Sequence, residues 1–435
     1  MRERGAILMI IALGLVVWPG HSPGTEPDAG SADFAATVEL HQLQAYALAM
    51  NPEIKAAEQR WLAARARPSQ EGSLPDPMIN AAYHNESFGR LGQGSSDFSF
   101  LRFGAEQELP FPGKLALKET VAAREADREG ALYRATVLNV LTRLRVAYND
   151  YYLAQKSIEI VRGNKELLGK LALAAEARYE VGQGLQQDVA RAQVELSILV
   201  GQLTTLEQAR QSAATIVNAV LNRPPAAPLG VPAPPEKRQL THSLDQLNSL
   251  AEERSPDLKA AEQGVARAEA NLDLAKRQYY PDFVLRADYF NKAKLLPEWE
   301  VGAGIRVPLY FWRKQAFGVQ EAAAGVSEAR ASRQGASQEV LARLKDLHAQ
   351  ATSANRLVEL YGSVVVPQAE IALESASAAY QVGEVDFLTV LNNFTVLNDY
   401  RLRYYEELAN FDKAVAQLQE VAGLLPEETQ GDESP

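Results

Sequence analysis

The sequence predicts a mainly α-helical protein with a small β part, in which one unit of about 200 residues occurs twice. Three observations support this prediction: long stretches that contain no proline, two pairs of short segments in which polar and apolar residues alternate, and motifs that recur at a nearly constant spacing. The chain has 435 residues, of which 46% are apolar, so it can bury a large hydrophobic core.

The duplication is visible in three pairs of matching segments that occur in the same order in both halves. The pairs are NPEIKAAEQ at 51–59 with SPDLKAAEQ at 255–263, GAEQELP at 104–110 with GAGIRVP at 302–308, and YEVG at 179–182 with YQVG at 380–383. Their spacing is far longer than the period of solenoid repeats, which indicates two copies of one unit rather than an array of short repeats.

A proline-rich joint separates the two units. The stretch RPPAAPLGVPAPPE at 223–236 contains six prolines, and proline cannot donate the hydrogen bond that would continue a helix. The sequence therefore predicts five parts: a signal peptide and mobile N-terminus at 1–32, a first repeat at 33–223, a linker at 224–240, a second repeat at 241–425 and a flexible tail at 426–435.

The N-terminus is typical of a secretory signal. Arg2 and Arg4 precede an apolar run from Ala6 to Trp18, which is too short to span a bilayer. The alternative is a buried N-terminal helix. A secretory signal predicts a protein that leaves the cytoplasm.

Each unit begins with a helical segment, and the first of these is expected to extend from Val38 to Arg67 and to stop at Pro68. A β-hairpin is expected next, at 78–109 and at 281–310. Strict alternation predicts strands with one apolar and one wet face; a hairpin of a soluble β-sandwich would show the same pattern. The predicted wet face carries the charged residues Arg102, Glu106, Glu108, Arg286, Asp288, Glu300 and Arg306.

The segments after the hairpins predict long helices. No proline occurs between Lys114 and Val181, and a continuous helix of that length reaches about 100 Å. Beyond Gly184 apolar residues recur in steps of four and three, as in a coiled coil, and the second unit repeats the pattern after Gly383. In the first unit these residues are Leu185, Val189, Ala192, Leu196, Leu199, Leu203 and Leu206. The glycines are therefore expected at the tips of helical hairpins.

Four amphipathic strands cannot close a membrane barrel, because the smallest barrels have about eight strands. Three chains would supply twelve. In this combination of features, the sequence resembles the TolC family of outer-membrane efflux channels over residues 38–425. The resemblance rests on the duplication, the two KAAEQ segments, the hairpins that lead into long helices, and the Tyr-x-Val-Gly tips.

The resemblance implies a homotrimer with a twelve-stranded β-barrel in contact with outer-membrane lipid and a helical barrel in the periplasm. It also implies a periplasmic entrance at the helical tips, which dock onto an adaptor protein that connects to an inner-membrane pump. The residues that correspond to these tips are Tyr179, Val181, Gly182, Gly184 and Asp188 in the first unit, and Tyr380, Val382, Gly383 and Asp386 in the second. The position that matches Asp188 is Thr389 in the second unit, so the sequence does not identify which carboxylate gates the entrance.

The stretch ELPFPGK at 108–114 resembles the strand-to-helix corner of the heavy-metal branch of that family. Pro110 and Pro112 are expected to end the strand, Gly113 to permit the turn, and Pro308 to act similarly in the second unit. This resemblance implies efflux of heavy-metal cations with a pump of the RND type. Glu106 and Glu108 could favour cations, although solvated carboxylates would look the same. A multidrug duct and a type I secretion duct remain alternatives.

Composition excludes several other functions. The 44 basic and 55 acidic residues give a formal net charge of −11, which argues against nucleic acid as a partner. No cysteine is present, so lipidation through cysteine, disulfides and thiolate metal sites are excluded. The sequence shows no catalytic, cofactor-binding or metal-binding motif, and we expect no enzyme. A secreted coiled-coil structural protein is a weaker alternative, because it leaves the two hairpins unexplained.

Overall fold

The computed structural model describes residues 34, 36–86, 92–93, 96–235 and 240–425. The predicted signal peptide and the predicted tail lie outside these ranges. The helices within them are α1 (Leu40–Met50), α2 (Pro52–Glu71), α3 (Lys114–Glu180), α4 (Gln186–Val220), α5 (Leu244–Arg254), α6 (Pro256–Arg277), α7 (Lys314–Leu360), α8 (Val366–Val382) and α9 (Phe387–Ala422). A single π-helical segment, Tyr361–Val365, joins α7 to α8 in one continuous rod.

Four strands form one antiparallel sheet in the order β1-β2-β3-β4. The strands are β1 (Met78–His84), β2 (Phe100–Leu109), β3 (Asp282–Asn291) and β4 (Glu298–Arg306). The two hairpins therefore meet through β2 and β3, where Ala105 faces Ala287 and Glu106 faces Arg286. In the described part of the chain, the outer edges of β1 and β4 have no strand beside them. The mainly α fold with four strands per chain is confirmed.

The two faces of the sheet differ in polarity, as the alternation predicts. One face carries the charged residues, and the other carries apolar side chains that are open to solvent in the single chain, such as Ile79, which is 81% exposed, and Trp299, which is 77% exposed. Strand β4 ends at Arg306, earlier than the expected limit of 310, because Pro308 cannot donate to a neighbouring strand.

The long helix predicted after the first hairpin is confirmed. Helix α3 contains 67 residues, which corresponds to about 100 Å. It begins after Gly113, whose φ of 91° is the left-handed conformation that glycine adopts without strain. Along its length α3 packs against α2, α4, α6 and α9 and is therefore the central rod of the chain.

The expectation for the first helical segment is wrong in two respects. The helix is broken at Asn51, because the residue before Pro52 is forced into an extended conformation. The Asn51 side chain accepts hydrogen bonds from the backbone N–H groups of Glu53 and Ile54 and so caps α2. Pro68 does not stop the helix; α2 continues through it to Glu71.

Across the described residues, the buried apolar side chains form three separate clusters. In the first cluster, buried residues between Val38 and Ile54 pack against the middle of α3 and the end of α4. In the second, α5 packs in an equivalent way against α7 and the end of α9. The third cluster lies towards the helical tips, where Ala192 and Leu199 of α4 join Val390, Phe394 and other residues. Of the predicted coiled-coil seam, Ala192 and Leu199 are buried there, and the half-buried Val189, Leu196, Leu203 and Leu206 pack against this cluster. Leu185 is exposed because it is the N-terminal cap residue of α4.

A buried polar network connects α3 to α9. Arg145 donates to both carboxylate oxygens of Asp412 and to the side-chain oxygen of Gln419, at 2.7 Å. Asn149, one helical turn further on, also donates to Asp412. Burying a guanidinium is costly unless it is paired in this way, so the network fixes the register of α9 along α3.

We predict that Arg145→Met lowers the free energy of unfolding by about 3–5 kcal/mol, because it leaves the Asp412 carboxylate buried without its cation. The matched control is Arg143→Met, which lies on the same helix as Arg145. This variant removes an exposed ion pair with Glu53 of α2 and should lower the free energy of unfolding by about 1 kcal/mol or less. Denaturant titration of the detergent-solubilised protein measures both. Equal losses in the two variants would contradict the assigned role of the network.

Candidate functional site at the helical tips and the charged sheet face

The two tips share one backbone geometry. Gly182 has a φ of 76°, and the N–H groups of Gly182 and Gln183 donate to the carbonyls of Tyr179 and Arg178. At the second tip Gly383 has a φ of 83°, and Gly383 and Glu384 donate to the equivalent two carbonyls. Each tip is therefore a Schellman motif, in which glycine ends one helix before the chain turns back.

The two tips differ in how the returning helix begins. In the second tip, the Asp386 carboxylate accepts hydrogen bonds from the N–H and the hydroxyl of Thr389, at 2.9 and 2.5 Å. In the first tip, Leu185 occupies the cap position and Asp188 lies in the first turn of α4. Asp386 is therefore a helix cap, whereas Asp188 does not form the corresponding hydrogen bond.

The two tip tyrosines lie in different environments. Tyr179 is 46% exposed, whereas Tyr380 is 5% exposed and packs against the ring of Phe387. The Arg178 guanidinium lies 4.8 Å from the centre of the Tyr380 ring and donates to the Tyr380 carbonyl, so it connects the first tip to the second. Burial raises the pKa of Tyr380; Arg178 opposes this increase and Asp188 adds to it.

Arg178 is a tip residue that sequence reasoning missed. Its equivalent in the second unit is Ala379, and both are followed by tyrosine. A comparison of the two repeats, position by position, would have revealed this difference.

Each tip has one valine that is open to solvent. Val181 is 67% exposed and Val382 is 73% exposed, and each precedes the glycine of its tip. Gly184 lies inside the first tip, where an added Cβ would approach the Tyr179 backbone nitrogen to 3.0 Å. The tips thus present a small apolar surface on a backbone that tolerates little change.

The predicted charged residues of the sheet lie on one face and form cross-strand ion pairs. Arg286 contacts Glu106 at 2.8 Å, and Arg306 contacts Glu108 at 2.5 Å. The side chains of Arg102 and Asp288 are 3.8 Å apart. Glu300 lies directly opposite Asp288 on the neighbouring strand. Because arginine neutralises most of these carboxylates, the face is less acidic than Glu106 and Glu108 suggest by themselves.

The corner between strand β2 and helix α3 is held by buried charge. Pro110 and Pro112 follow β2, and between them the N–H of Phe111 donates to the Asp282 carboxylate at 2.8 Å. Lys114 donates to the same carboxylate at 2.8 Å and to the carbonyl of Tyr280 at 2.9 Å. These contacts attach the start of α3 to the start of β3.

The described residues contain neither a metal site nor a membrane-spanning helix. Among them, no group of three or more His, Asp or Glu side chains is arranged to hold a metal ion. None of the helices in the described ranges combines the length and the apolar character that a membrane-spanning helix requires.

Family comparison identifies the chain. The model of the outer membrane efflux protein family matches residues 43–223 and 247–424, which together are most of the sequence. The chain belongs to the outer membrane efflux protein family. The two matched ranges are separated by a stretch that contains the proline-rich joint.

Three known proteins are similar to this efflux family member. The cobalt-zinc-cadmium resistance protein CzcC of Cupriavidus metallidurans is 23% identical over 73% of this chain and 76% of its own length. Outer membrane protein TolC of Vibrio cholerae is 23% identical, with 83% and 84% coverage. The crystal structure of the outer membrane protein VceC from Vibrio cholerae superposes with a TM-score of 0.74 at 20% identity, covering 88% of this chain and 96% of VceC.

We predict that Asp386→Ala weakens hydrogen-exchange protection at the start of α9 about fivefold, because an N-cap side chain is lost, whereas Asp386→Asn retains the protection. The hydrogen bonds from Thr389 hold the pKa of Asp386 below its ordinary value of 3.8. In the wild type the cap therefore contributes fully above pH 3.8 and is lost as pH falls through the lower pKa of the folded state. Equal protection in the Ala and Asn variants would contradict the assignment of Asp386 as a cap.

Proposed function

We propose that this efflux family member forms a homotrimeric channel in the outer membrane and conducts its substrate passively, without catalysis. The observation that carries the proposal is a four-stranded sheet with an exposed apolar face and two open edges, joined to two helical hairpins in which the longer arm reaches about 100 Å. Three such sheets supply the twelve strands of a closed barrel, and the hairpins extend into the periplasm as a tube.

In this proposal the tips are the periplasmic entrance and the docking site for an adaptor protein of an inner-membrane pump. The support is their exposed Val181 and Val382, their shared glycine turn and their distance from the sheet. The charged sheet face, which includes Arg102, Glu300 and the ion pairs, is proposed to line the barrel lumen.

We propose heavy-metal cations as the substrate, moved by a pump of the RND type. The support is the similarity to CzcC, whose name states cobalt, zinc and cadmium resistance. The ion-paired sheet face does not select strongly for cations, so the pump is expected to determine which substrate enters. The alternative is a duct for multiple drugs or for a secreted polypeptide, because TolC, whose name states no metal, is as similar to this chain as CzcC.

The test is deletion of the gene followed by growth on cobalt, zinc and cadmium salts and, separately, on dyes and bile salts. We predict that only the metal salts become more toxic, and that the wild-type gene restores resistance. If deletion sensitises cells to dyes and bile salts but not to metals, the substrate assignment is wrong and the channel assignment stands.

The docking assignment is tested by complementation of the same deletion with Gly383→Glu. At a φ of 83° every L side chain is strained, so this variant is expected to keep its trimer but to lose resistance and crosslinking to the adaptor. Gly201→Glu is the control, because no side chain or distant backbone lies within 4 Å of an added Cβ on that helix. Full resistance with Gly383→Glu would contradict docking through the tips.

A further inference from the structure

A groove with two basic side chains, Lys276 and Arg277, lies at the corner between the sheet and the helices, outside the proposed lumen and tips. Its volume is about 500 Å³, and it is formed by the first turns of α3 and the last turns of α6. Its lining includes Gly113, Leu117, Asp273, Lys276, Arg277 and Tyr280.

Arg277 is the charged group in this groove that lacks a counterion. Lys276 contacts the Asp273 carboxylate at 3.1 Å and is therefore neutralised. Among the described residues, no carboxylate lies within ion-pair distance of Arg277, and its Nε is buried without a hydrogen-bond acceptor. Arg277 as a residue is only half-buried, so its terminal N–H donors can meet an acceptor from outside the chain.

Two aromatic rings and a glycine fix the position of this guanidinium. Phe111 and Tyr280 are stacked at 4.6 Å, and the Cζ atom of Arg277 lies 5.7 and 5.4 Å from their ring centres. At Gly113 an added Cβ would lie 2.8 Å from a guanidinium nitrogen of Arg277. Any larger residue would therefore close the space that Arg277 now occupies.

The groove lies at the level where the apolar face of the sheet ends. At the same junction, beginning at Tyr279 beside Tyr280 in the chain, exposed rings follow one another from Tyr279 to Phe311 at 6.4 Å and from Phe311 to Trp312 at 5.3 Å. On the adjoining strands, the exposed side chains of Phe283 and Ile305 lie opposite each other at the end of the apolar sheet face. Tyrosine and tryptophan are enriched at the boundary between lipid tails and water, so this row marks the headgroup level.

We propose that Arg277, with the stacked Phe111 and Tyr280 rings, binds the phosphate of a phospholipid headgroup at the periplasmic edge of the barrel. The uncompensated cation recognises the phosphate, and the apolar row beside it accommodates the acyl chains. The inference requires the outer-membrane location and does not depend on the metal substrate. A free phosphate ion would not use the apolar row.

The test is native mass spectrometry of the detergent-solubilised full-length protein titrated with phosphatidylglycerol. Arg277→Gln is expected to weaken lipid binding about tenfold, since one charge-assisted hydrogen-bonding group is lost. The control is Arg267→Gln on the same helix, whose guanidinium pairs with Glu125 at 3.0 Å and should leave lipid binding unchanged. Equal affinities in the two variants would overturn the proposal.

A second measurement uses the wild-type protein and so does not depend on how the variants fold. A photoreactive phosphatidylglycerol is expected to crosslink to the peptides that contain Arg277 and Phe111. Inorganic phosphate at the same concentration is expected not to displace it. Crosslinks confined to the strands, or displacement by phosphate alone, would overturn the assignment to a lipid.

Discussion

The structure depends on one constraint, which is that the four-stranded sheet has two open edges and an exposed apolar face. In the residues that the structure describes, strands β1 and β4 leave their outer edges unpaired, and one face of the sheet exposes large apolar side chains such as Ile79 and Trp299. Backbone N–H and C=O groups cannot remain unpaired in lipid, so an open sheet of this kind is stable in a membrane only when it closes. The proposed closure by other copies of the chain would satisfy both edges and orient the ion-paired face inwards.

The helical part transmits this geometry over about 100 Å. Lys114 and Asp282 fix the direction in which α3 leaves the sheet, and the Arg145–Asp412 network fixes how α9 lies along α3. Near the far end, Arg178 connects the two tips within one chain. Polar contacts thus set angle and register at three levels of a structure that is otherwise held by apolar seams.

Periodicity and duplication predicted most of the fold. The alternation in 281–290 gave β3 and its two faces, and the absence of proline after Lys114 gave α3. The break at Asn51 was not predicted, although Pro52 restricts the residue before it to an extended conformation, and α2 continues through Pro68 to Glu71.

The site was less predictable than the fold. The glycines of the tips follow from the two Tyr-x-Val-Gly motifs, because a left-handed residue is required at each reversal. The contact of Arg178 with Tyr380 and the pairing of Glu106 and Glu108 with arginines could not be predicted, since side chains distant in sequence meet only after the strands and helices pack. The same is true of Arg277, which has no motif around it.

The most direct measurement of the central claim is disulfide crosslinking between the two open edges of neighbouring copies. The chain has no cysteine, so Ala81→Cys on β1 can be combined in turn with cysteine at Val301, Ala303 or Ile305 on β4, which lie on the same face. We predict that at least one pair of cysteines gives covalent dimers and trimers in outer-membrane fractions, and that a reductant converts them back to monomers. Variants with a single cysteine are expected to give no covalent trimers. Monomers from every pair in correctly localised protein would contradict closure of the sheet by other copies.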